Sequence, residues 1–295
     1  MSAFTDDSAP SNDAPPTQTV SSRLFVVGCP RSGTTLLQSF LAAHPTVLSF
    51  PETKVFARLL IAPGPAPPSA SNVRARIEAS YARVTAFLDA LGRGDLGRLL
   101  AAQDASIAEF AQTFVAVLDR LTLDQGRNSW VEKTPKHLAL VSEIRGLVPG
   151  ARFINILRDG RQNIASLYEL ALKHPDVEWW ARFRDLDQAV KLWNYSTRRA
   201  RALRDMPEVL LIRYERLVSD TETVLREICR FSGLPFRREM IERRAEAARV
   251  VVTAAEPWKS EVLEPVRPAT DDKFDRVFSA EQKAHIEARL ERIDF

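Results

Sequence analysis

Five short runs of apolar and β-branched residues alternate with longer stretches of helical periodicity along most of this chain. Parallel strands need long crossover connections, and helices in those crossovers cover both faces of the resulting sheet. The sequence therefore predicts an α/β fold, with a parallel sheet of about five strands, helices on both faces and a helical and loop C-terminal region. The predicted strands are 24–28, 47–50, 129–132, 152–157 and 209–213, and the predicted helices are 34–43, 73–91, 105–123, 136–147, 162–173, 186–205 and 220–231.

Two segments differ in composition from the rest of the chain. Residues 1–22 lack the basic start and apolar core of a signal peptide, and they predict a disordered leader. Residues 23–295 are then predicted to form one α/β domain, because a hydrophobic content of 45% supplies a large core. Within this domain, APGPAPPSAS at 62–71 is too rich in proline for a helix or a strand, and it predicts a surface loop.

Charge and cysteine content narrow the class of function. The net charge is +3, and basic and acidic residues are interspersed, which favours an anionic ligand and predicts no nucleic-acid partner. Cys29 and Cys229 are too few for a disulfide framework and have no zinc-ligand spacing, so we expect no metal site and a reducing, cytoplasmic location. Since no window reaches the roughly 18 apolar residues needed to cross a bilayer, no transmembrane segment is predicted.

The stretch GCPRSGTT at 28–35 lies between the first predicted strand and the first predicted helix. Its glycines allow backbone N–H groups and the helix N-terminus to point at one phosphate, and Ser32, Thr34 and Thr35 add hydroxyl groups. The spacing follows the Walker pattern, except that Thr34 replaces the lysine that reaches the β- and γ-phosphates. A P-loop-like site for a 5′-phosphate is therefore predicted, in which Arg31 supplies a permanent positive charge.

A second polar segment, RDGRQNIAS at 158–166, directly follows the fourth predicted strand. Arg158 at the end of the strand and Ser166 about two helical turns later can converge on a second phosphate at the carboxyl edge of the sheet. Taken alone, the segment is typical of an exposed turn with salt bridges. Its position after a strand, together with the loop at 28–35, favours a second phosphate site.

These two segments, FVVGCPRSGTTLLQSFLAAHP and FINILRDGRQNIAS, closely resemble the 5′-phosphosulfate loop and the 3′-phosphate motif of sulfotransferases that depend on 3′-phosphoadenosine 5′-phosphosulfate (PAPS). The similarity is closest to the branch that contains tyrosylprotein sulfotransferases and their bacterial relatives. It extends through WVEKTPKHL, WNYSTRRARAL and VLLIRYERLVSD, and so covers roughly residues 23–235 as a series of anchors. The resemblance implies an enzyme that moves a sulfuryl group from PAPS to an acceptor hydroxyl without a metal, leaving 3′,5′-adenosine bisphosphate (PAP).

The resemblance also implies which residues bind the donor. Arg158 and Ser166 would bind its 3′-phosphate. Weaker matches make Tyr214 and Lys259 further cofactor contacts. The 5′-phosphosulfate would be bound by the backbone and hydroxyl groups of Arg31, Ser32, Gly33, Thr34 and Thr35.

Catalytic roles follow from the same resemblance. Glu52 lies where the tyrosylprotein branch has the carboxylate that takes the acceptor's proton, and burial beside the cofactor is expected to raise its pKa toward the working pH. The alternative is that Glu52 pairs with Lys54 or Arg58 on a surface turn. Lys133, together with Arg31, would neutralise charge on the bridging oxygen during an in-line transfer. Two of its neighbours, Glu132 and Lys136, are interpreted as structural.

The sequence leaves the acceptor and two other classes of function open. A glycan, a lipid, a small phenol and a peptide tyrosine are all possible acceptors, because acceptor contacts come from variable loops such as 54–128 and 167–190. An aromatic cluster at Trp179, Trp180 and Phe183 either walls the acceptor cleft or packs in the core. The other classes are a nucleotide-dependent phosphotransferase with a modified P-loop, and a nucleotide-binding module without catalysis.

Overall fold

The computed structural model describes residues 19–61, 70–100, 105–252, 256–268 and 272–293. Its five strands are β1 (Ser22–Gly28), β2 (Val47–Phe50), β3 (Ser129–Lys133), β4 (Ala151–Leu157) and β5 (Val209–Arg213). They form one parallel sheet in the order β2-β3-β1-β4-β5. The predicted parallel sheet is thereby confirmed, and each strand begins and ends within two residues of its predicted bounds.

Helices make most of the connections in the described ranges. The α-helices are α1 (Thr34–Ala42), α2 (Val55–Leu60), α3 (Ala70–Ala90), α4 (Gly94–Gly97), α5 (Ile107–Asp124), α6 (Val141–Leu147), α7 (Gly160–Lys173), α8 (Glu178–Ala181), α9 (Leu186–Leu203), α10 (Tyr214–Ser219), α11 (Thr221–Ser232), α12 (Glu239–Glu242), α13 (Arg244–Val251), α14 (Asp272–Val277) and α15 (Ala280–Glu287). Short 3-10 helices span Arg98–Leu100, Pro135–Leu140, Arg182–Arg184 and Pro257–Leu263. None of the helices in the described ranges is long and apolar enough to cross a membrane.

One predicted helix is divided in the structure. The periodicity at 136–147 predicts a single helix, but a 3-10 helix at Pro135–Leu140 precedes α6. Leu140 has φ −121° and ψ 14°, outside the α-helical region, and this interrupts the hydrogen-bond ladder between the two parts. The apolar periodicity of 136–147 continues across Leu140, so it did not indicate that the helix is divided there.

The central strand β1 buries both of its faces. Phe25 and Val27 pack in a core with residues of α5, whereas Leu24 and Val26 pack in a second core with residues of α1 and α11. A strand covered on both faces needs a continuous apolar run, which explains the sequence LFVV. Helices therefore lie on both faces of the sheet, as the sequence predicts.

Parts of the predicted leader and insert lie outside the described residues. These parts are residues 1–18 of the leader and 62–69 of the proline-rich segment. Ser22, at the end of the predicted leader, begins β1, and residues 70 and 71 begin α3. Regular structure therefore starts slightly earlier in both places than the sequence indicates.

The strand order places the candidate site residues on one edge. From β1 the chain runs to β2 and β3 on one side, and it then crosses to β4 and β5 on the other side. In open parallel sheets, ligands bind outside the carboxyl ends of the strands at such a reversal. The loops after β1 and β4 carry Arg31 and Arg158, and Lys133 is the last residue of β3, so all three side chains begin near this position.

Candidate active site at the carboxyl edge of the sheet

The loop after β1 has a backbone that requires glycine at two positions. Gly28 and Gly33 have φ values of 152° and 94°. A Cβ atom on Gly28 would lie 2.5 Å from the carbonyl oxygen of Ile156, and one on Gly33 would lie 2.4 Å from the ring of Tyr214. The loop therefore packs against β4 and Tyr214 more closely than a residue with a side chain allows. Gly33 is also the N-cap of α1, which directs the positive end of this helix into the loop.

Asn163 on α7 holds this loop from its buried side. Its Nδ2 atom donates to the carbonyl oxygen of Pro30 and to Oγ of Ser32, each at 3.0 Å. The Sγ atom of Cys29 donates to Oδ1 of Asn163 at 3.5 Å, and burial raises the pKa of this thiol to about 12. Sequence reasoning missed Asn163, although it lies three residues before Ser166 on the same helical face.

The second predicted phosphate motif, at 158–166, contacts the loop at Arg31. Nη1 of Arg158 donates to the carbonyl oxygen of Arg31 at 3.2 Å, and the Arg158 guanidinium lies 4.5 Å from the centre of the Tyr214 ring. Nε of Arg31 donates to Oγ of Ser166 at 3.1 Å. The Nε atom of Arg158 is buried and has no hydrogen-bond partner among the described residues. Trp193, which donates to the carbonyl oxygen of Arg158 at 3.1 Å, fixes the backbone from which this side chain leaves.

A cavity of about 600 Å³ opens over these residues, and its lining includes six cationic side chains together with Glu261 and Glu264. A C-terminal 3-10 helix, Pro257–Leu263, forms part of its wall. Nη1 of Arg31 donates to the carbonyl oxygen of Trp258 at 2.9 Å, and Nη2 contacts Oε2 of Glu261 at 2.8 Å. Sequence reasoning did not identify these contacts, because it predicts no strand beyond residue 239 that would determine the position of this region. The lining of the cavity includes Arg31, Gly33, Thr34, Thr35, Arg158, Tyr214, Lys259, Arg267, Lys273 and Arg276.

Glu52, which follows β2, lies among lysines from separate parts of the chain. Nζ of Lys133 donates to Oε1 of Glu52, and Nζ of Lys259 lies 3.0 Å from the same oxygen. Lys54 is farther away, with 3.9 Å between its Nζ and Oε2 of Glu52. The structure therefore places Glu52 beside Lys133 rather than on a surface turn. It also places Lys259, the weakest of the sequence matches, in direct contact with Glu52.

These contacts change the pKa of Glu52 in the direction opposite to the one expected. Burial alone would raise this pKa, but the ammonium groups of Lys133 and Lys259 outweigh burial and lower the pKa to about 2. The expectation that burial tunes Glu52 toward neutral pH is therefore wrong for this arrangement.

The two lysines respond differently to their surroundings. Burial lowers the pKa of Lys133 to about 8, although Glu52 opposes this shift. For Lys259, burial would lower the pKa, but the carboxylates of Glu52 and Glu256 outweigh burial and raise it. Nζ of Lys259 lies 2.6 Å from Oε2 of Glu256, a contact that sequence reasoning did not identify.

A second cavity, of about 350 Å³, joins the loop to this carboxylate. Arg31, Thr34 and Thr35 share its lining with Glu52 and Lys259. Trp179, Trp180 and Trp258 line it too, and Nζ of Lys136 lies 3.7 Å from the centre of the Trp179 ring. Phe183 is 1% exposed and packs in the core. The predicted aromatic cluster therefore has two parts, because only its tryptophans face the cavity.

Comparisons of sequence and of structure relate this chain to known proteins. The profile of the sulfotransferase family matches residues 23–238. Protein-tyrosine sulfotransferase 1 of Danio rerio is 25% identical over 248 residues, which cover 82% of this chain and 62% of that protein. The curated relatives are longer than this chain, and the match spans between 45% and 62% of their lengths.

Two solved structures with a related fold are sulfotransferases. The sulfotransferase domain from the curacin biosynthetic pathway has a TM-score of 0.52 and 20% identity, covering 90% of this chain and 98% of that domain. Mouse sulfotransferase SULT7A1, complexed with PAP, has a TM-score of 0.53 and 13% identity, covering 94% of this chain and 87% of that protein. At these identities the likeness establishes the fold.

Proposed function

Because the chain belongs to the sulfotransferase family, we propose that it transfers a sulfuryl group from PAPS to an acceptor hydroxyl. One observation carries the proposal: the predicted phosphate loop and Glu52 line the same cavity, with Lys133 in contact with Glu52. The protein-tyrosine sulfotransferase relatives support a hydroxyl acceptor, and the PAP-bound mouse neighbour supports the donor.

The residues around the loop fit a donor that carries two separate anionic groups. Arg158 and Ser166 would hold the 3′-phosphate, and the buried Nε atom of Arg158 offers a donor that the described residues leave unpaired. The 5′-phosphosulfate would be held by the N–H groups at the start of α1 and by the hydroxyls of Thr34 and Thr35. Ser32 belongs to the same loop, but its hydroxyl oxygen already accepts a hydrogen bond from Nδ2 of Asn163. When bound, PAPS supplies the sulfuryl group that the acceptor receives.

Glu52 is proposed to take the proton of the acceptor hydroxyl. A pKa of about 2 makes Glu52 a weak base while Lys133 and Lys259 both face it. With an anionic donor in the cavity, Lys133 and Lys259 would contact both the donor and Glu52, which weakens their effect on the carboxylate and raises its pKa. Lys133 and Arg31 would also neutralise charge on the bridging oxygen, which is the larger part of catalysis in an in-line transfer.

The acceptor is proposed to be a hydroxyl on a peptide tyrosine, a phenol, a glycan or a lipid. Trp179 and Trp180 offer flat apolar walls beside Glu52, which suits a ring at the acceptor position. The cytoplasmic location, the absence of a metal and the division into a leader and one domain stay predictions from the sequence.

Calorimetric titration tests the donor. We expect PAP to bind more tightly than ATP·Mg²⁺, and we expect Arg158→Ala and Ser166→Ala each to weaken PAP binding. A preference for ATP·Mg²⁺ would instead indicate a phosphotransferase.

Transfer is tested by PAP release from PAPS with a tyrosine peptide, a phenol, an oligosaccharide and a fatty alcohol. We expect release with at least one acceptor and its loss in Glu52→Gln. Tight PAP binding with no transfer to any acceptor would identify a binding module without catalysis.

A further inference from the structure

The segment that carries Glu52 lies beyond the hydrogen-bond ladder of the sheet. Phe50 pairs with Glu132 at the last position of the β2–β3 register. Lys54, four residues later, has φ 57°, which is unfavourable for a residue other than glycine. The backbone of 51–54 therefore needs partners from side chains, because the ladder no longer provides them.

Glu132 on β3 supplies several of these partners. Its Oε1 accepts from the backbone N–H of Thr53 at 3.0 Å, from the Thr53 hydroxyl at 2.9 Å and from the Thr134 hydroxyl at 2.6 Å. Its Oε2 lies 3.2 Å from Nδ1 of His137, and neither side chain has exposed surface. One buried oxygen thus joins the residue after Glu52 to the residue after Lys133.

Arg83 on α3 holds the same segment through its carbonyl groups. Its Nε donates to the carbonyl oxygen of Thr53 at 2.6 Å, and its Nη2 donates to that of Glu52 at 2.9 Å. The hydroxyl of Thr134 accepts from the N–H of Lys54 at 3.3 Å, which continues the attachment to β3. The N–H groups of Thr53 and Lys54 are therefore bound by Glu132 and Thr134, and the carbonyl groups of Glu52 and Thr53 are bound by Arg83.

We propose that Glu132 and Arg83 are positioning residues, which hold the Glu52 carboxylate at the Lys133 ammonium group through the backbone of Thr53. This inference rests on the proposed function, since it concerns the alignment of the proposed base with its partner. Neither residue lines the two cavities described above. Displacement of a reacting group by about 1 Å costs roughly 100-fold in rate, so positioning alone has a large effect.

Two substitutions of Glu132 separate its hydrogen bonds from its charge. Glu132→Ala and Glu132→Gln both remove the charge, but the amide oxygen of glutamine still accepts from Thr53 and Thr134. We expect turnover per PAP-binding site to fall roughly 100-fold in Glu132→Ala and to be largely rescued in Glu132→Gln. The affinity for PAP, measured by calorimetry, should be unchanged in both. Equal turnover per site in the wild type and Glu132→Ala would overturn the proposal.

Arg83→Met tests the other side of the segment without touching the buried carboxylate. Its matched control is Arg74→Met on the same helix, where the Arg74 side chain is 65% exposed and paired with Glu78. We expect a fall in turnover per PAP-binding site only for Arg83→Met. A merely structural role would lower the fraction of protein that binds PAP and leave turnover per binding site intact.

A readout that needs no acceptor separates this proposal from the proposed function. The pH dependence of Lys133 acetylation by acetic anhydride, followed by peptide mass spectrometry, reports the burial of the Lys133 ammonium group and how closely Glu52 and Lys259 face it. We expect a lower midpoint in Glu132→Ala than in Glu132→Gln, because both lack the charge of Glu132, both leave Lys133 buried, and only the first moves Glu52 away from Lys133. Arg83→Met should also lower the midpoint, although loss of a positive charge alone would raise it.

The two proposals then fail in different ways. Equal midpoints in the two Glu132 variants, with no fall in Arg83→Met, would overturn the positioning roles whether or not transfer occurs. Shifted midpoints without sulfuryl transfer to any acceptor would support the alignment and overturn the proposed activity.

Discussion

The phosphate loop and the Glu52 centre lie at the same edge of the sheet but are built in different ways. The loop is a contiguous segment, residues 28–35, whose shape follows from two glycines and from the hydrogen bonds that Asn163 donates to it. The Glu52 centre combines Glu52, Lys133 and Lys259 from three distant parts of the chain. Backbone N–H groups carry fixed partial charges, so an anion site made of them does not depend on side-chain protonation. A centre of opposite charges neutralises itself, and each side-chain movement changes its pKa values.

The largest expected effect concerns Lys133 in the charged centre. We expect Lys133→Met to lower turnover by about 10²–10³-fold, since it removes the charge proposed to stabilise the leaving group. PAP affinity should fall far less, because the proposed PAP contacts lie mainly in the loop and at Arg158. Turnover and calorimetric affinity are measured together, with Lys283→Met as control, because Lys283 pairs with Asp275 and lines neither cavity. Equal losses in both quantities would show that the two regions do not act separately.

The second largest effect concerns Arg158, which follows β4 and contacts the loop. We expect Arg158→Ala to weaken PAP binding about ten- to hundredfold, because a hydrogen bond to a charged group contributes about 1.5–3 kcal/mol. Arg161→Ala is the control, since Arg161 lies three residues later and its side chain is 42% exposed. Calorimetry on both variants makes the comparison. An unchanged affinity in Arg158→Ala would contradict the assignment of the 3′-phosphate site.

A third test uses the depressed pKa of Glu52. A carboxyl group whose pKa falls from 4.5 to about 2 on folding stabilises the protein above pH 4.5, and this stabilisation is lost as the pH falls toward 2. We expect Glu52→Gln to lower the melting temperature by a few degrees at pH 7, and the difference from wild type to disappear across that window. Thermal unfolding by circular dichroism measures it, with the exposed Glu281→Gln as control. A constant difference between pH 5 and pH 2 would contradict the lysine contacts.

The smallest effect concerns the contact between Glu261 and Arg31. The Glu261 side chain is 60% exposed and that of Arg31 is 16% exposed, so solvent screens this ion pair from the Glu261 side. Since this carboxylate would compete with the proposed donor for Arg31, we expect Glu261→Ala to tighten PAP binding by about two- to fivefold. Glu264→Ala, in the same segment, is the control for a general change of charge. Weaker PAP binding in Glu261→Ala would show that Glu261 supports the site.

The features that were predictable from the sequence are local ones. The strand of LFVV, the glycines of the loop and the position of Arg158 follow from short patterns, and the resemblance placed Glu52 near Lys133. The sequence did not indicate that Lys259 also contacts Glu52, because an ion pair between such distant residues depends on how the C-terminal region packs. The wrong expectation for the pKa of Glu52 has the same origin. Burial is visible in a pattern of residues, but the number of nearby ammonium groups is not.

The strand order also sets the spacing between the groups at the candidate site. Arg158 follows β4, the phosphate loop follows β1 and Lys133 ends β3, so that these groups belong to three successive strands. Neighbouring strands lie about 4.8 Å apart, which gives a span of about 10 Å from the first group to the last. The proposed donor has two separate anionic groups, which suits such a span better than a nucleotide with anionic groups at only one end. The strand spacing therefore sets the separation of the backbone positions from which Arg158, the loop and Lys133 would reach the proposed donor.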